Sequence, residues 1–327
     1  MDALTYSHFG FAYAGAAAPV LDDVCWSVPQ GAFALLVGNT GSGKTTLLRC
    51  AKAEIAPVGE RAGSVAVCGR EQREGERALD VGYVFQSPEN QIVCDTVWHE
   101  LAFGLENAGV DQDAMRRRVA EVAHFFGIEP WFRRATHELS GGQKQLLNLA
   151  SVLVMQPRLL LLDEPTAQLD PVAQSNFLHA LFRINRELGI TVVVATHAPE
   201  AMSDYATCAA CVAGGHVREV ELAALRDGQA GDGDVAALGG GEGEGAAVSL
   251  SGVYFRYSRT SDWVLRGLDL SLAAGGVHAL VGGNGCGKST LLRVVADLEQ
   301  PTAGTVLVGG KSPRQARLDQ DYGSAFQ

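Results

Sequence analysis

The stretch that decides the fold reads Phe33-Ala-Leu-Leu-Val37-Gly38-Asn39-Thr40-Gly41-Ser42-Gly43-Lys44-Thr45-Thr46. Its first five residues are apolar and predict a buried strand, and the residues after the last glycine predict a helix. A strand that enters a helix through Gly-x4-Gly-Lys-Thr is a P-loop, because its glycines let backbone N–H groups point inward around a phosphate. The positive N-terminus of the helix strengthens the same site.

The side chains of this motif supply further ligands. Lys44 can reach the β- and γ-phosphates of a nucleotide, and the Thr45 hydroxyl can bind Mg²⁺. A glycine-rich turn without a ligand is the alternative, but the preceding strand and a second occurrence of the motif count against it. The candidate nucleotide ligands here are Gly38, Asn39, Thr40, Gly41, Ser42, Gly43, Lys44, Thr45 and Thr46.

A second buried strand, Leu159–Leu162, ends in the carboxylate pair Asp163-Glu164. Asp163 is predicted to hold Mg²⁺ through a water molecule, and Glu164 to orient and deprotonate an attacking water. Such a pair is also common as a simple helix cap. The P-loop upstream favours the catalytic interpretation.

A third motif, Leu139-Ser140-Gly141-Gly142-Gln143, opens an apolar helix. Ser140 is a good N-cap, and a capped N-terminus with two glycines is also a second anion site. Placed between a P-loop and Leu-Leu-Leu-Leu-Asp-Glu-Pro, it resembles the signature of ATP-binding cassette (ABC) ATPases. The resemblance implies a P-loop NTPase α/β fold with an antiparallel β subdomain and a helical insert, ATP and Mg²⁺ as cofactors, and ATP hydrolysis.

The same resemblance assigns further residues. Tyr13 matches the aromatic residue that stacks on adenine, and Gln86 matches the Q-loop glutamine that contacts Mg²⁺ or water. Asp170 matches the D-loop aspartate, and His197 the switch histidine that contacts the γ-phosphate. The signature residues are implied to contact the nucleotide of a facing cassette. The candidate catalytic residues are Glu164, His197, Gln86 and Lys44.

The chain repeats itself at a long period, which indicates tandem domains. The spacing of Lys44 and Lys288 is 288 − 44 = 244, and that of Tyr13 and Tyr257 is 257 − 13 = 244. By resemblance, the nucleotide candidates of the second copy are Tyr257, Gly282, Gly283, Asn284, Gly285, Cys286, Gly287, Lys288, Ser289 and Thr290, and its Mg²⁺ candidates are Ser289 and Gln327.

The predicted organisation has three parts. Residues 1–225 form a complete cassette, 226–245 a solvated linker rich in glycine and acidic residues, and 246–327 the N-terminal part of a second cassette. This second copy lacks the signature, the carboxylate pair and the switch histidine. We therefore expect it not to be catalytic by itself.

Composition narrows the environment and the partners. With 26 Lys and Arg against 37 Asp and Glu, the net charge of −11 disfavours nucleic acid as a partner. The 7 cysteines show no disulfide framework, which favours a reducing cytosol. Cys208-x-x-Cys211 invites a metal or redox hypothesis, but it also fits a buried strand. No apolar stretch approaches the ~18 residues of a membrane span, and we expect no signal peptide. A role at the cytoplasmic face of the cell membrane would then work through a partner.

Two stretches of the sequence indicate which group of ABC ATPases the chain resembles. Phe85–Val93 and Glu100–Asn107 resemble the energising subunits of energy-coupling factor (ECF) importers, which take up vitamins or transition metals. The resemblance implies a membrane coupling subunit, a substrate-binding membrane subunit and a second cassette, in cis in a full-length tandem and otherwise in a homodimer. Trp98-His99 departs from the pattern, because that family usually carries acidic residues there. Another ABC importer, or a soluble tandem ABC ATPase that acts on ribosomes, remains an alternative. The short acidic linker counts against the ribosomal alternative.

Overall fold

Two structural units make up the chain, Met1–Gly233 and Asp234–Gln327. The structure, a computed structural model, describes residues 2–73, 76, 78–226, 246–257, 263–276, 278–280 and 287–319. Nearly all of the predicted linker, residues 282–286 of the second P-loop and Gln327 lie outside the described residues. The predicted domain bounds at 225 and 246 therefore stay a prediction.

The first unit is an α/β domain, as the sequence predicts. Its strands are β1 (Asp2–Tyr13), β2 (Leu21–Pro29), β3 (Phe33–Val37), β4 (Gly59–Val67), β5 (Arg70–Glu71), β6 (Val81–Val84), β7 (Leu159–Asp163), β8 (Thr191–Thr196), β9 (Cys208–Ala213) and β10 (His216–Val220). Its helices are α1 (Lys44–Cys50), α2 (Val97–Asn107), α3 (Gln112–Phe126), α4 (Gly141–Leu153), α5 (Pro171–Leu188) and α6 (Leu222–Arg226).

The larger sheet positions the site. Its strand order is β10-β9-β3-β8-β7-β6, and every neighbouring pair for which a register is resolved is parallel except β9 with β10. Every residue of β3, β7 and β8 is buried, because strands covered on both faces need continuous apolar runs. The carboxyl ends of β3, β8, β7 and β6 therefore meet at one edge.

The antiparallel sheet, in the order β2-β1-β4-β5, covers the P-loop helix. Tyr6 of β1 donates its hydroxyl hydrogen to the Leu47 carbonyl of α1 at 2.7 Å. Phe9, Phe11 and Trp26 are buried in the same core. Burial of these three aromatic side chains contributes on the order of 2 kcal/mol each, and it fixes the P-loop helix against both sheets.

The helical insert consists of α2, α3 and α4. Its own core contains Leu101, Leu105, Trp131 and Leu147. Asp111 caps α3 by accepting hydrogen bonds from the N–H groups of residues 113 and 114. The insert presents the N-terminus of α4, where the signature motif lies.

Cys208 and Cys211 do not face each other as a metal-binding or redox pair would. Residues three apart on a strand face opposite sides, and accordingly Cys208 packs against the core beneath the antiparallel sheet while Cys211 packs against the core on the other face. Both thiols are half-buried rather than fully buried. The structural interpretation of this motif therefore fits better than the metal or redox hypothesis.

The second unit repeats the start of the first. It contains β11 (Ala246–Phe255), β12 (Leu265–Ala273), α7 (Lys288–Val295), β13 (Ala303–Val308) and α8 (Pro313–Leu318). Its sheet order β12-β11-β13 matches β2-β1-β4. Equivalent residues are 244 apart through α7, whereas Val308 takes the place of Val67 in the ladder, with 308 − 67 = 241. The connection after α7 is therefore three residues shorter than its counterpart.

Candidate functional site

The candidate residues of the first unit gather where four parallel strands end. Val37 pairs with Thr196, Asp163 with Ala195, and Val84 with Leu162. The P-loop follows β3, Asp163 ends β7, Glu164 follows it, and His197 follows β8. Gln86 lies exposed just after β6. The sheet thus brings segments more than a hundred residues apart to one edge, where loops of α/β folds bind ligands.

Lys44 lies inside the P-loop. Its ammonium group donates to the carbonyls of Gly38 at 2.6 Å and Asn39 at 3.0 Å, and the side chain is 6% exposed. Glu164 Oε1 lies 3.7 Å from the same nitrogen. Gly43 caps the helix with φ of 105°, a left-handed value that favours glycine. The P-loop therefore places the buried ammonium group of Lys44 beside the backbone N–H groups that would surround a phosphate.

Thr45 and Asp163 form an oxygen-ligand pair. The Thr45 hydroxyl donates to Asp163 Oδ1 at 2.9 Å. Mg²⁺ takes oxygen ligands, and the Thr45 hydroxyl and the Asp163 carboxylate both supply them. Tyr83 donates its hydroxyl hydrogen to Asp163 Oδ2 at 3.3 Å. The donor set therefore fits Mg²⁺, with Thr45 and Asp163 as its holders.

Burial raises the pKa of the Asp163 carboxyl above its ordinary value of 3.8, although hydrogen bonds from Thr45 and Tyr83 and the charge of Arg49 oppose the shift. Folding therefore disfavours the charged form of this group. In the absence of a cation, the charged carboxylate is destabilising.

This shift makes a stability prediction for Asp163→Asn. A raised folded-state pKa means that the native state binds more protons, so the penalty is absent below about pH 4 and complete above the folded pKa. We expect Asp163→Asn to raise the unfolding temperature at pH 7 in EDTA, with the difference shrinking as pH falls. Thermal unfolding followed by circular dichroism checks this. The prediction would be contradicted if the unfolding temperature of Asp163→Asn, taken relative to that of the unmodified chain, were lower at pH 7 than at pH 4.

Glu164 is held in an unusual conformation. Its φ is 45°, and its N–H donates to the Ala195 carbonyl at 2.9 Å. Its Oε2 lies 2.8 Å from Nδ1 of His197, and the side chain is 13% exposed. A left-handed glutamate costs on the order of 1 kcal/mol. In this conformation the Glu164 carboxylate lies between Lys44 and His197 at the edge of the sheet.

An exposed tyrosine flanks the P-loop helix in each unit. The hydroxyl of Tyr13 shares a hydrogen bond with Thr46 at 2.8 Å, and Tyr257 makes the same contact with Thr290 at 2.9 Å. The two rings are 43% and 56% exposed. These positions leave ring area available to a planar ligand, as the predicted adenine contact requires.

The signature motif is organised around its own turn. Ser140 caps α4 by accepting from the N–H of Gln143 at 3.3 Å, and the Gln143 side chain accepts from the N–H of Ser140 at 3.0 Å. A Cβ on Gly142 would lie 2.8 Å from that of Ala173 on α5. Asp170 caps α5. The signature thus packs beside Asp170, and Ser140 itself is exposed.

The second unit shows only part of its predicted site. Gly287 begins α7 with φ of 99°, and Lys288, Ser289 and Thr290 form the first turn. The candidates Gly282, Gly283, Asn284, Gly285, Cys286 and Gln327 lie outside the described residues. Their roles stay predictions.

Arg49 and Tyr83, which both act on Asp163, were not predicted as site residues from the sequence. The charge of Arg49 lowers the pKa of that carboxyl. Arg49 lies four residues after Thr45, so helical spacing puts both on one face of α1, and this signal was available. Tyr83 carried no local signal, because its contact with Asp163 depends on the neighbouring strand.

The chain is similar in sequence to known proteins. The family model described as "ABC transporter" matches residues 21–167 and 265–327. A putative ABC transporter ATP-binding protein of Bacillus cereus is 39% identical over 349 residues, which cover 93% of this chain and 63% of the relative. The energy-coupling factor transporter ATP-binding protein EcfA1 of Symbiobacterium thermophilum is 45% identical over 196 residues, covering 58% of this chain and 67% of the relative.

A solved structure has a similar fold. The structure of cbiO1 from Clostridium perfringens, described as part of the ABC transporter complex cbiONQ, superposes with a TM-score of 0.61 and 30% identity, covering 66% of this chain and 87% of that one. The chain spans 63% of the length of the first curated relatives it matches. Among the described residues, no helix combines the length and apolar character needed to cross a bilayer.

Proposed function

The chain belongs to the ABC transporter family, a family of ATPases, and we propose that it energises a membrane importer of the ECF type. The observation that carries the ATPase role is the arrangement of Lys44, Thr45, Asp163 and Glu164 at one sheet edge. The similarity to EcfA1 and cbiO1 supports the importer role. Vitamins or transition-metal ions are the solute classes that this assignment implies.

The proposed mechanism follows from the site's own residues. Bound MgATP would supply the terminal phosphoryl group, with Thr45 and Asp163 holding the cation. Lys44 neutralises phosphate charge, and Glu164 accepts a proton from the attacking water. His197 orients Glu164 through their 2.8 Å contact.

A facing cassette completes the proposed site. The exposed N-terminus of α4, with its signature residues, would meet the phosphates bound by the P-loop of a second cassette. Two cassettes would then pair head-to-tail, closing around ATP and opening after hydrolysis.

An apolar groove beside Gln86 supports docking on a membrane subunit. Leu79, Phe85, Val93, Phe103 and Met155 line it. Val93 is 66% exposed and Phe103 36% exposed. An exposed apolar groove of this kind is typical of a protein interface.

Glu100 links the segment after Gln86 to α2 at this groove. Its buried carboxylate accepts hydrogen bonds from the N–H groups of Val93 at 2.9 Å and Cys94 at 2.8 Å. The stretch after Gln86 is thereby fastened to α2. A movement of Gln86 with the nucleotide would be passed to the groove and then to the docked subunit.

The experiment is affinity purification of the tagged chain from detergent-solubilised native membranes. We expect integral membrane proteins to co-purify, one of them a substrate-binding subunit. Recovery of ribosomal proteins without membrane proteins would overturn the importer role in favour of the soluble tandem alternative.

Phe103→Glu tests the docking groove. A carboxylate at this point would have to be desolvated on docking, so we expect recovery of the membrane proteins to fall by about tenfold or more. Turnover of ATP by the isolated chain should stay within about twofold, because the groove contains no phosphate ligand. Leu318→Glu, at a 67% exposed position of the second unit, is the control. Unchanged recovery with Phe103→Glu would exclude this groove.

A further inference from the structure

A cluster of metal-ligating side chains lies on the antiparallel sheet of the first unit, on strands β1 and β2. His8, Asp23 and Cys25 are all exposed, and their ligand atoms lie within 4.8 Å of one another. His8 Nδ1 is 2.7 Å from Asp23 Oδ1 and 3.7 Å from Cys25 Sγ. Within the described part of the chain, no other three His, Cys, Asp or Glu side chains come together in this way.

The backbone at this cluster is specialised. The pairing of β1 with β2 slips between Tyr6 and Phe9, so that residues 7 and 8 are both exposed. His8 has φ of 50° and Asp23 has φ of 47°, both in the left-handed region. Glycine is the residue that adopts this conformation without steric cost. Two side chains are therefore carried at positions where glycine fits better.

The second unit builds the same backbone with glycine. At the offset of 244, His8 corresponds to Gly252 with φ of 56°, and Asp23 corresponds to Gly267 with φ of 60°. Cys25 corresponds to Asp269, which accepts a hydrogen bond from the Gly252 N–H at 2.6 Å. The fold therefore does not need the imidazole or the Asp23 carboxylate at these two positions.

We propose that His8, Asp23 and Cys25 bind a divalent cation of the zinc class. Imidazole, carboxylate and thiolate are ligands of Zn²⁺, whereas Mg²⁺ takes oxygen ligands. In a tetrahedral zinc site with bonds of about 2.0 and 2.3 Å, nitrogen and sulfur lie roughly 3.5 Å apart. The observed 3.7 Å between His8 Nδ1 and Cys25 Sγ agrees with that separation.

Binding would require small local changes. The cation replaces the hydrogen bond between His8 and Asp23, and the Cys25 thiol loses its proton to solvent. The backbone N–H of His8 donates to Cys25 Sγ, with nitrogen and sulfur 3.4 Å apart, and it stabilises the resulting thiolate. Water takes the fourth position. The bound cation cross-links β1 and β2 on the solvent side of the sheet, independently of the nucleotide site.

The test is a Co²⁺ titration of the nucleotide-free full chain, kept reduced and followed by the thiolate-to-cobalt charge-transfer absorption. Cobalt held by Thr45 and Asp163 has only oxygen ligands and gives no such band. We expect saturation at one Co²⁺ per chain, with displacement by Zn²⁺ but not by Mg²⁺. Cys25→Ser should abolish the band, whereas Cys211→Ser, a control on β9, should leave it unchanged.

His8→Gly and Asp23→Gly copy the second unit and separate binding from folding. Because glycine favours the left-handed backbone, these variants should unfold at the same or a higher temperature than the unmodified chain. We expect each to weaken Co²⁺ binding by about tenfold or more. An absent band at saturating Co²⁺, a band that survives Cys25→Ser, or unchanged affinity in His8→Gly would overturn the proposal.

Discussion

Glu164→Gln is expected to lower ATP turnover by about a hundredfold or more while ATP binding persists. The amide keeps the size and the hydrogen-bonding oxygen of the side chain but cannot accept a proton from water. The carboxylate it replaces lies between two groups, with Oε1 at 3.7 Å from Lys44 Nζ and Oε2 at 2.8 Å from His197 Nδ1. The substitution therefore removes the base and leaves the P-loop intact.

Two measurements separate chemistry from binding for this variant. Steady-state phosphate release gives the turnover, and equilibrium binding of a fluorescent ATP analogue gives the affinity. Because ATP is not consumed, the closed cassette pair should accumulate, which size-exclusion chromatography with MgATP will show. Glu187→Gln, on the exposed face of α5, is the control. Near-normal turnover in Glu164→Gln would exclude Glu164 as the base.

The elements that build the site could be predicted because they carry local signals. The apolar stretch predicted as Leu159–Leu162 forms β7 with one further residue. Strands buried on both faces must be apolar throughout, and such runs between polar segments are visible in any sequence. The Gly-x4-Gly-Lys-Thr spacing likewise encodes a local backbone shape.

Contacts between remote segments could not be predicted in the same way. Tyr83 and Asp163 are 80 residues apart, and only the pairing of β6 with β7 brings them together. The left-handed backbone of Glu164, whose N–H bonds to the Ala195 carbonyl on β8, leaves no mark in the local pattern. The bulge at His8 does leave a mark in the local pattern. Tyr6 and Phe9 are both buried, which breaks the alternation of buried and exposed residues along β1.

ATP hydrolysis by the polypeptide of residues 1–327 is expected to depend on its concentration. Residues 246–327 contain neither an Asp-Glu pair after an apolar strand nor a Leu-Ser-Gly-Gly-Gln motif. The complete set therefore arises when two first cassettes pair, with Lys44 and Glu164 of one facing Ser140 and Gln143 of the other. Dimer formation follows mass action, so the specific rate should rise with protein concentration below the dissociation constant. Turnover measured across a dilution series, beside sedimentation velocity, checks this.

Ser140 offers a matched pair of variants that keeps the fold. Asp and Asn both serve as helix N-caps, so either substitution preserves the cap that Ser140 provides to α4. Only Ser140→Asp places a negative charge where the phosphates of the facing cassette's ATP would lie. We expect Ser140→Asp to reduce turnover by about a hundredfold or more, since a buried like-charge contact costs several kcal/mol. Ser140→Asn should retain most of the activity.

Mixing the variants gives the decisive measurement. Ser140→Asp leaves its own P-loop and Glu164 intact, whereas Glu164→Gln leaves its own signature intact. A mixed pair then contains one composite site made of two undamaged halves and one made of two damaged halves. Combining the two nearly inactive proteins should therefore restore up to about a quarter of the unmodified turnover, because half of the random pairs are mixed and each has one working site. No recovery on mixing, or a robust specific rate from a chain shown to be monomeric, would refute the intermolecular site.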